Sequence, residues 1–195
     1  MKFKDAVVDP AVARTKFERE VALYRENSDD YIARGWWMIK AEFPQVTVAF
    51  ATPTISPPMA PFGALIDFTN YDAWPPSVRL VNPFTQTPFK ASEISIPPLP
   101  RRRNEDNPQL PQHENLLQWE TPEAIPFICV PGIREYHEHP AHSGDSWFVY
   151  RNRGEGTLYF ILNLLGTYGL GAVKGYDLQM LVRPQGPTNI NEIPA

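Results

Sequence analysis

Cys129 is the chain's only cysteine, and three of its four histidines follow it closely: His137, His139 and His142. Asp145 and Trp147 close the same window, "PFICVPGIREYHEHPAHSGDSW". A thiol with imidazoles nearby can act as a nucleophile, because a histidine titrating near neutral pH accepts the proton that the attacking group must lose. An unperturbed thiol titrates near ~8.5, so hydrogen-bonding or cationic neighbours such as Arg134 matter. Asp145 is a further proton acceptor, and Asn115 a candidate donor to an oxyanion. Two other readings remain open on the residues alone. A lone cysteine is often simply a small buried apolar side chain. His137, His139 and His142 could instead hold zinc, with Asp145, Cys129 or His113 as fourth ligand. Paired cysteines and His-Glu-x-x-His are absent from the chain. We therefore assign Cys129, His137, His139, His142 and Asp145 catalytic roles, and assign neither metal nor cofactor.

The surrounding sequence must position these groups. A chain of 195 residues predicts a single domain, over residues 1–175, with a C-terminal extension at 176–195. Its net charge of −4 argues against nucleic acid as the main partner. No apolar run approaches the roughly 20 residues that span a bilayer. The N-terminus has no apolar signal core, and one cysteine cannot form an internal disulfide, so a cytoplasmic location is expected. Proline is abundant, 22 residues gathered in clusters, which favours short strands joined by shaped loops.

Asp9-Pro10 starts a predicted helix that presents Ala13, Phe17, Val21 and Tyr24 on one face and ends near Glu26. "DDYIARGWWMIKAEF" reads as a second helix or its continuation, with Trp36, Trp37 and Met38 in the core. Strands are predicted at 45–52, 62–69 and 77–82 from their alternation and β-branched residues. The polar, proline-broken stretch at 97–115 reads as a surface insertion, its Arg101–Arg103 run solvated beside Glu105 and Asp106. "AIPFICV" is an extended segment entering the core, and a glycine-bounded helix covers 157–168. The expected fold class is α+β, with helices packed on one antiparallel sheet.

At "DFTNYDAWPPSVRLVNP" the chain resembles ubiquitin-conjugating enzymes (E2s), through Tyr71, Pro75, Pro76 and Val78. "ICV" (Ile128–Val130) corresponds to the family's active-site segment and Trp147 to the tryptophan that follows it, ahead of the 157–168 helix. The family's His-Pro-Asn is missing; "HEN" (His113–Asn115) is the nearest stretch. The histidines after the cysteine resemble divergent bacterial E2-like proteins encoded beside an E1-like activating enzyme, a ubiquitin-like protein and a JAB-type peptidase, in operons associated with antiphage defence. The resemblance implies a UBC-like fold: N-terminal helix, antiparallel β-meander, irregular active-site segment, C-terminal helix. It implies that Cys129 carries a ubiquitin-like protein, received from an E1-like activating enzyme, to an amine on a target protein, without a cofactor. It equally admits an adaptor that keeps the fold but forms no thioester.

Overall fold

The computed structural model describes residues 8–103 and 112–177. Helix α1 spans Pro10–Glu26, and the Asp9 carboxylate caps it by accepting from the Ala11 N–H at 2.8 Å. Proline costs nothing in this first turn, where its missing N–H has no partner to lose. The predicted face is the buried one, Ala13, Phe17, Val21 and Tyr24, and it also carries Glu20 inward.

Helix α2 is short, Ser28–Ala33, and the next residues form strand β1, Trp36–Glu42, where the sequence reading placed helix. Gly35 makes the change of direction. At φ +82° it takes a left-handed conformation that ends the helix, and its carbonyl accepts from the Ala51 N–H at 2.8 Å. A Cβ built there would lie 1.9 Å from the Ala51 oxygen. As a strand, the segment sends Trp36 into the core and Trp37 outward, so the expectation of a buried Trp37 is corrected: it is 43 % exposed. Its indole N–H donates to the Ile32 carbonyl at 3.2 Å. Met38 packs against the edge of the core.

β1 begins a four-stranded antiparallel sheet in sequential order with β2 (Gln45–Phe50), β3 (Phe62–Asp67) and β4 (Ser77–Val81). Register pairs include Trp36 with Phe50, Phe50 with Phe62 and Ile66 with Val78. The last three strands stand where the alternation predicted them. One buried apolar cluster runs from Phe17 through Phe50, Phe62 and Phe68 to Ile128, Ile161 and Leu170. Phe50 and Phe62 stack at 4.8 Å between ring centres, and Phe17 meets Phe68 edge-on at 5.6 Å. Burying each such side chain stabilises the fold by about 1.5–3 kcal/mol.

The expected surface insertion is more ordered at its ends than a solvated loop. β5 (Pro100–Arg102) pairs antiparallel with β6 (His113–Asn115), and the flanking Leu99 and Leu116 are buried. Residues 104–111 lie outside the described residues, as do 178–195 of the expected C-terminal extension. β7 (Leu117–Gln118) pairs with β8 (Phe127–Ile128), followed by α3 (Arg134–Glu138) and α4 (Leu158–Leu164). Thr157 caps α4 by accepting from the Phe160 N–H, and Glu20 of α1 accepts the Leu158 N–H at 3.0 Å. The molecule is an α+β protein. Among the described residues no helix is long and apolar enough to cross a membrane.

Candidate active site: a thiol and an imidazole in an open cleft

Cys129 follows β8 directly, and its N–H donates to the Leu116 carbonyl at 2.7 Å. That bond ties the cysteine backbone to the strand opposite, so the sulfur has a fixed point of origin. Beyond it, Gly132 at φ +92° turns the chain into α3, so close to Gly156 that a Cβ would come within 2.7 Å of the Gly156 nitrogen. The half-buried thiol forms part of the wall of a cleft of about 890 Å³, with Arg101, Glu114, Asn115, Trp119 and Pro131 around it.

The three histidines part company. Only His142 meets the sulfur, with Nε2 at 3.2 Å from Sγ. His137 is held at both nitrogens: Nδ1 lies 2.9 Å from the Asp145 carbonyl, while the Gly132 N–H points at Nε2 from 3.3 Å. A carbonyl only accepts and an N–H only donates, which fixes the neutral ring with its proton on Nδ1. His139 stacks on Phe127 at 5.2 Å and accepts from the Ala141 N–H, capping the turn at Pro140–His142. Asp145 also turns from the thiol; its carboxylate accepts the Tyr136 hydroxyl. Among the described residues no group of three or more His, Cys, Asp or Glu side chains is arranged to hold a metal ion.

Arg134 does not serve the thiol either. Its guanidinium donates to the carbonyls of Pro75 at 3.2 Å and Thr69 at 2.6 Å, and its own N–H donates to Pro76. Glu135 bonds the Ser77 hydroxyl and the Val78 N–H. Thus α3 is fastened to the Trp74-Pro75-Pro76 turn, and Trp147 fastens to the same region through its indole N–H and the Asp72 carbonyl at 2.8 Å. These bonds link the turn that carries Pro75 and Pro76 to the segment that carries Cys129.

Two participants were invisible as such in the sequence. Tyr136, almost fully buried, lays its ring on His142 at 3.9 Å between centres and 20° between planes. Glu114 pairs with Arg101 at 2.5 Å on the cleft wall, where the sequence suggested only solvated arginines. Nothing local in "REYHEH" or "QHENLL" signals these contacts, because both depend on segments meeting in space.

Burial pushes the Cys129 thiol above its ordinary value, the Glu114 carboxylate adds to this, and Arg101 opposes it. Burial thus works against the thiolate, and Arg101 is the neighbour that favours it. A protonated sulfur needs a base as it attacks, and His142 Nε2 stands where that base would be.

His137 supplies a pH test of the loop. Burial holds its imidazole below the usual histidine range, against the smaller opposite pull of the Asp145 carbonyl. A histidine depressed on folding stabilises fully above its unfolded value of about 6.5 and loses that contribution as pH falls through the folded value. The melting midpoint is expected to fall between pH 7.5 and pH 5, and to fall less in His137→Gln, which stays neutral over that range. Equal slopes in the two proteins would remove His137 as the cause.

Fold and site together define an α+β protein whose thiol and imidazole meet on the wall of an open cleft. A family model described as Y4jH-like, Y4jH family, matches residues 8–174, and the chain belongs to that family. It is 38 % identical over 185 residues to y4jH, an uncharacterized protein of Sinorhizobium fredii (strain NBRC 101917 / NGR234), covering 90 % of each chain.

Proposed function

We propose that this protein is an E2-like conjugating enzyme acting in the bacterial cytoplasm, within a conjugation system directed against phage. The carrying observation is the contact between Cys129 Sγ and His142 Nε2 in the open cleft. Supporting it is the order of the elements: helix, four-stranded meander, irregular cysteine segment, helix, with the Pro75-Pro76 turn bonded to the segment that follows the cysteine. In the first step the Cys129 thiol attacks the thioester that an E1-like activating enzyme has made with a ubiquitin-like protein. The new C–S bond forms, the activating enzyme's thiolate leaves, and the thiol proton passes to His142. In the second step an amine of the target protein attacks the Cys129 thioester. A C–N bond forms, the amine gives up its proton, and the sulfur leaves and is reprotonated. Asn115, on the cleft wall, is the candidate donor to the oxyanion of each tetrahedral intermediate. The elevated thiol gives some support to a second reading, an adaptor of this fold that binds the same partners without charging.

One measurement separates the two. The protein is incubated with ATP, an E1-like activating enzyme and a ubiquitin-like protein, and its intact mass is recorded. We expect a thiol-labile adduct on the native protein, a thiol-resistant oxyester on Cys129→Ser, and none on Cys129→Ala. An activating enzyme that becomes charged but passes nothing to the native protein leaves the adaptor; an adduct surviving in Cys129→Ala discards the nucleophile.

A further inference from the structure

Tyr136 lies between the side chains of Asp145 and His142, two residues joined only by the hydrogen bond from the Asp145 N–H to the His142 carbonyl at 2.9 Å. Its hydroxyl donates to the Asp145 carboxylate, and its ring face covers the imidazole of His142, whose Nε2 meets the Cys129 sulfur. Asp145 is exposed, whereas Tyr136 is almost fully buried and locked in α3, which is itself bonded to the turn at 75–78. The phenol ring is therefore a rigid wall that limits how His142 can turn. It is also an electrical one. A phenol donating its proton toward a carboxylate gains electron density in the ring, and an electron-rich ring face attracts a cation lying on it. The cation in question is the imidazolium that forms when His142 takes the thiol proton.

We infer that Tyr136 is a positioning residue that couples Asp145 to the thiol: it orients His142 toward the sulfur and favours transfer of the proton from Sγ to Nε2. The other charged and titratable groups facing this pair are Glu114 and Arg101 on the β5–β6 ladder, His139, whose ring stands 5.7 Å from that of His142, His137, whose ring meets Tyr136 edge-on at 5.0 Å, and Tyr150. Glu114 and Arg101 act on the sulfur directly and are themselves unaltered when Tyr136 or Asp145 is changed.

This inference rests on the thiol–imidazole pair of the proposed function, yet it is tested without any partner protein. Iodoacetamide alkylates the free protein: the Cys129 thiolate displaces iodide, a C–S bond forms, and the proton has gone to His142 or to water. The rate is followed against pH by intact mass, with melting midpoints recorded on the same samples. Tyr136→Phe keeps the stacked ring and loses the bond to Asp145; Asp145→Asn keeps the tyrosine and removes the charge. Each is expected to move the midpoint of the rate profile upward by about half a pH unit, and neither is expected to move it when His142→Ala is already present. Asp145 lies at the surface, so Asp145→Asn remains informative even if Tyr136→Phe melts early. Unchanged midpoints in both single variants, or equal shifts with and without His142, would overturn the coupling. A protein that accepts no ubiquitin-like protein but shows these shifts would retain the coupling and lose the conjugating role.

Discussion

Alanine at His142 will slow discharge of the Cys129 thioester to free lysine by about 10²- to 10⁴-fold, the range for losing a well-placed general base. Charging from the activating enzyme will slow less. The reason lies in the two nucleophiles. A thiol near ~8.5 is ionised to the order of a tenth at pH 7.5, and burial reduces that share for Cys129, whereas a lysine near ~10.4 is neutral in only about one molecule in a thousand. Loss of the base therefore falls harder on the amine. His139 stacks on Phe127 and His137 is held by Gly132 and Asp145, so alanine at either will leave a larger share of discharge intact. Single-turnover assays of thioester formation and loss resolve the steps. Equal damage to both, together with a lowered melting midpoint, would make His142 a structural residue.

Gly35→Ala is expected to be the most damaging small substitution in the described part of the chain. A side chain at φ +82° costs about 1–2 kcal/mol, and the added carbon would sit 1.9 Å from the Ala51 carbonyl oxygen. That contact is with backbone, so the junction between α2 and β1 must move, and the Ala51 N–H to Gly35 hydrogen bond, worth about 1 kcal/mol, moves with it. A total loss of about 3–5 kcal/mol should lower the melting midpoint by on the order of 10 °C. Gly144→Ala is the control, since a Cβ there meets nothing within 4 Å. If the two variants melt within a degree or two of each other, the junction is more plastic than its geometry indicates.

The same glycine explains where sequence reading and structure part. α1, β2, β3, β4 and the start of α4 were legible because each carries a periodic pattern and a recognisable end, such as Asp9-Pro10 or Thr157. "WWMIKAE" carries no clean alternation; its strand is set by Gly35 reversing the chain and by β2 offering a partner. β5 and β6 are polar and short, held by buried Leu99 and Leu116 at their inner ends and by the Arg101–Glu114 pair across the ladder. In the site, the grouping of Cys129 with the histidines was visible as a local density of reactive side chains. Which histidine serves the sulfur was not, because Pro140 and the turn after it decide that His142 swings back while His137 and His139 are spent on holding the loop. Tyr136 and Glu114 enter through tertiary contact alone.

Glu20 has a consequence for the time order of assembly. It is the only charged side chain among the described residues that is buried; Tyr71 and Arg19 donate to its Oε1, and the Leu158 backbone amide donates to its Oε2. During synthesis α1 leaves the ribosome far ahead of that amide, so Glu20 Oε2 stays hydrated and the part of the helix that meets α4 has no cover until it arrives. A nascent chain halted before Leu158 can seat Phe17 on Phe43 and Phe68 but lacks the α4 residues that cover the rest of the helix, and is a ready client for chaperones. The latch closes only once the chain has passed Leu158.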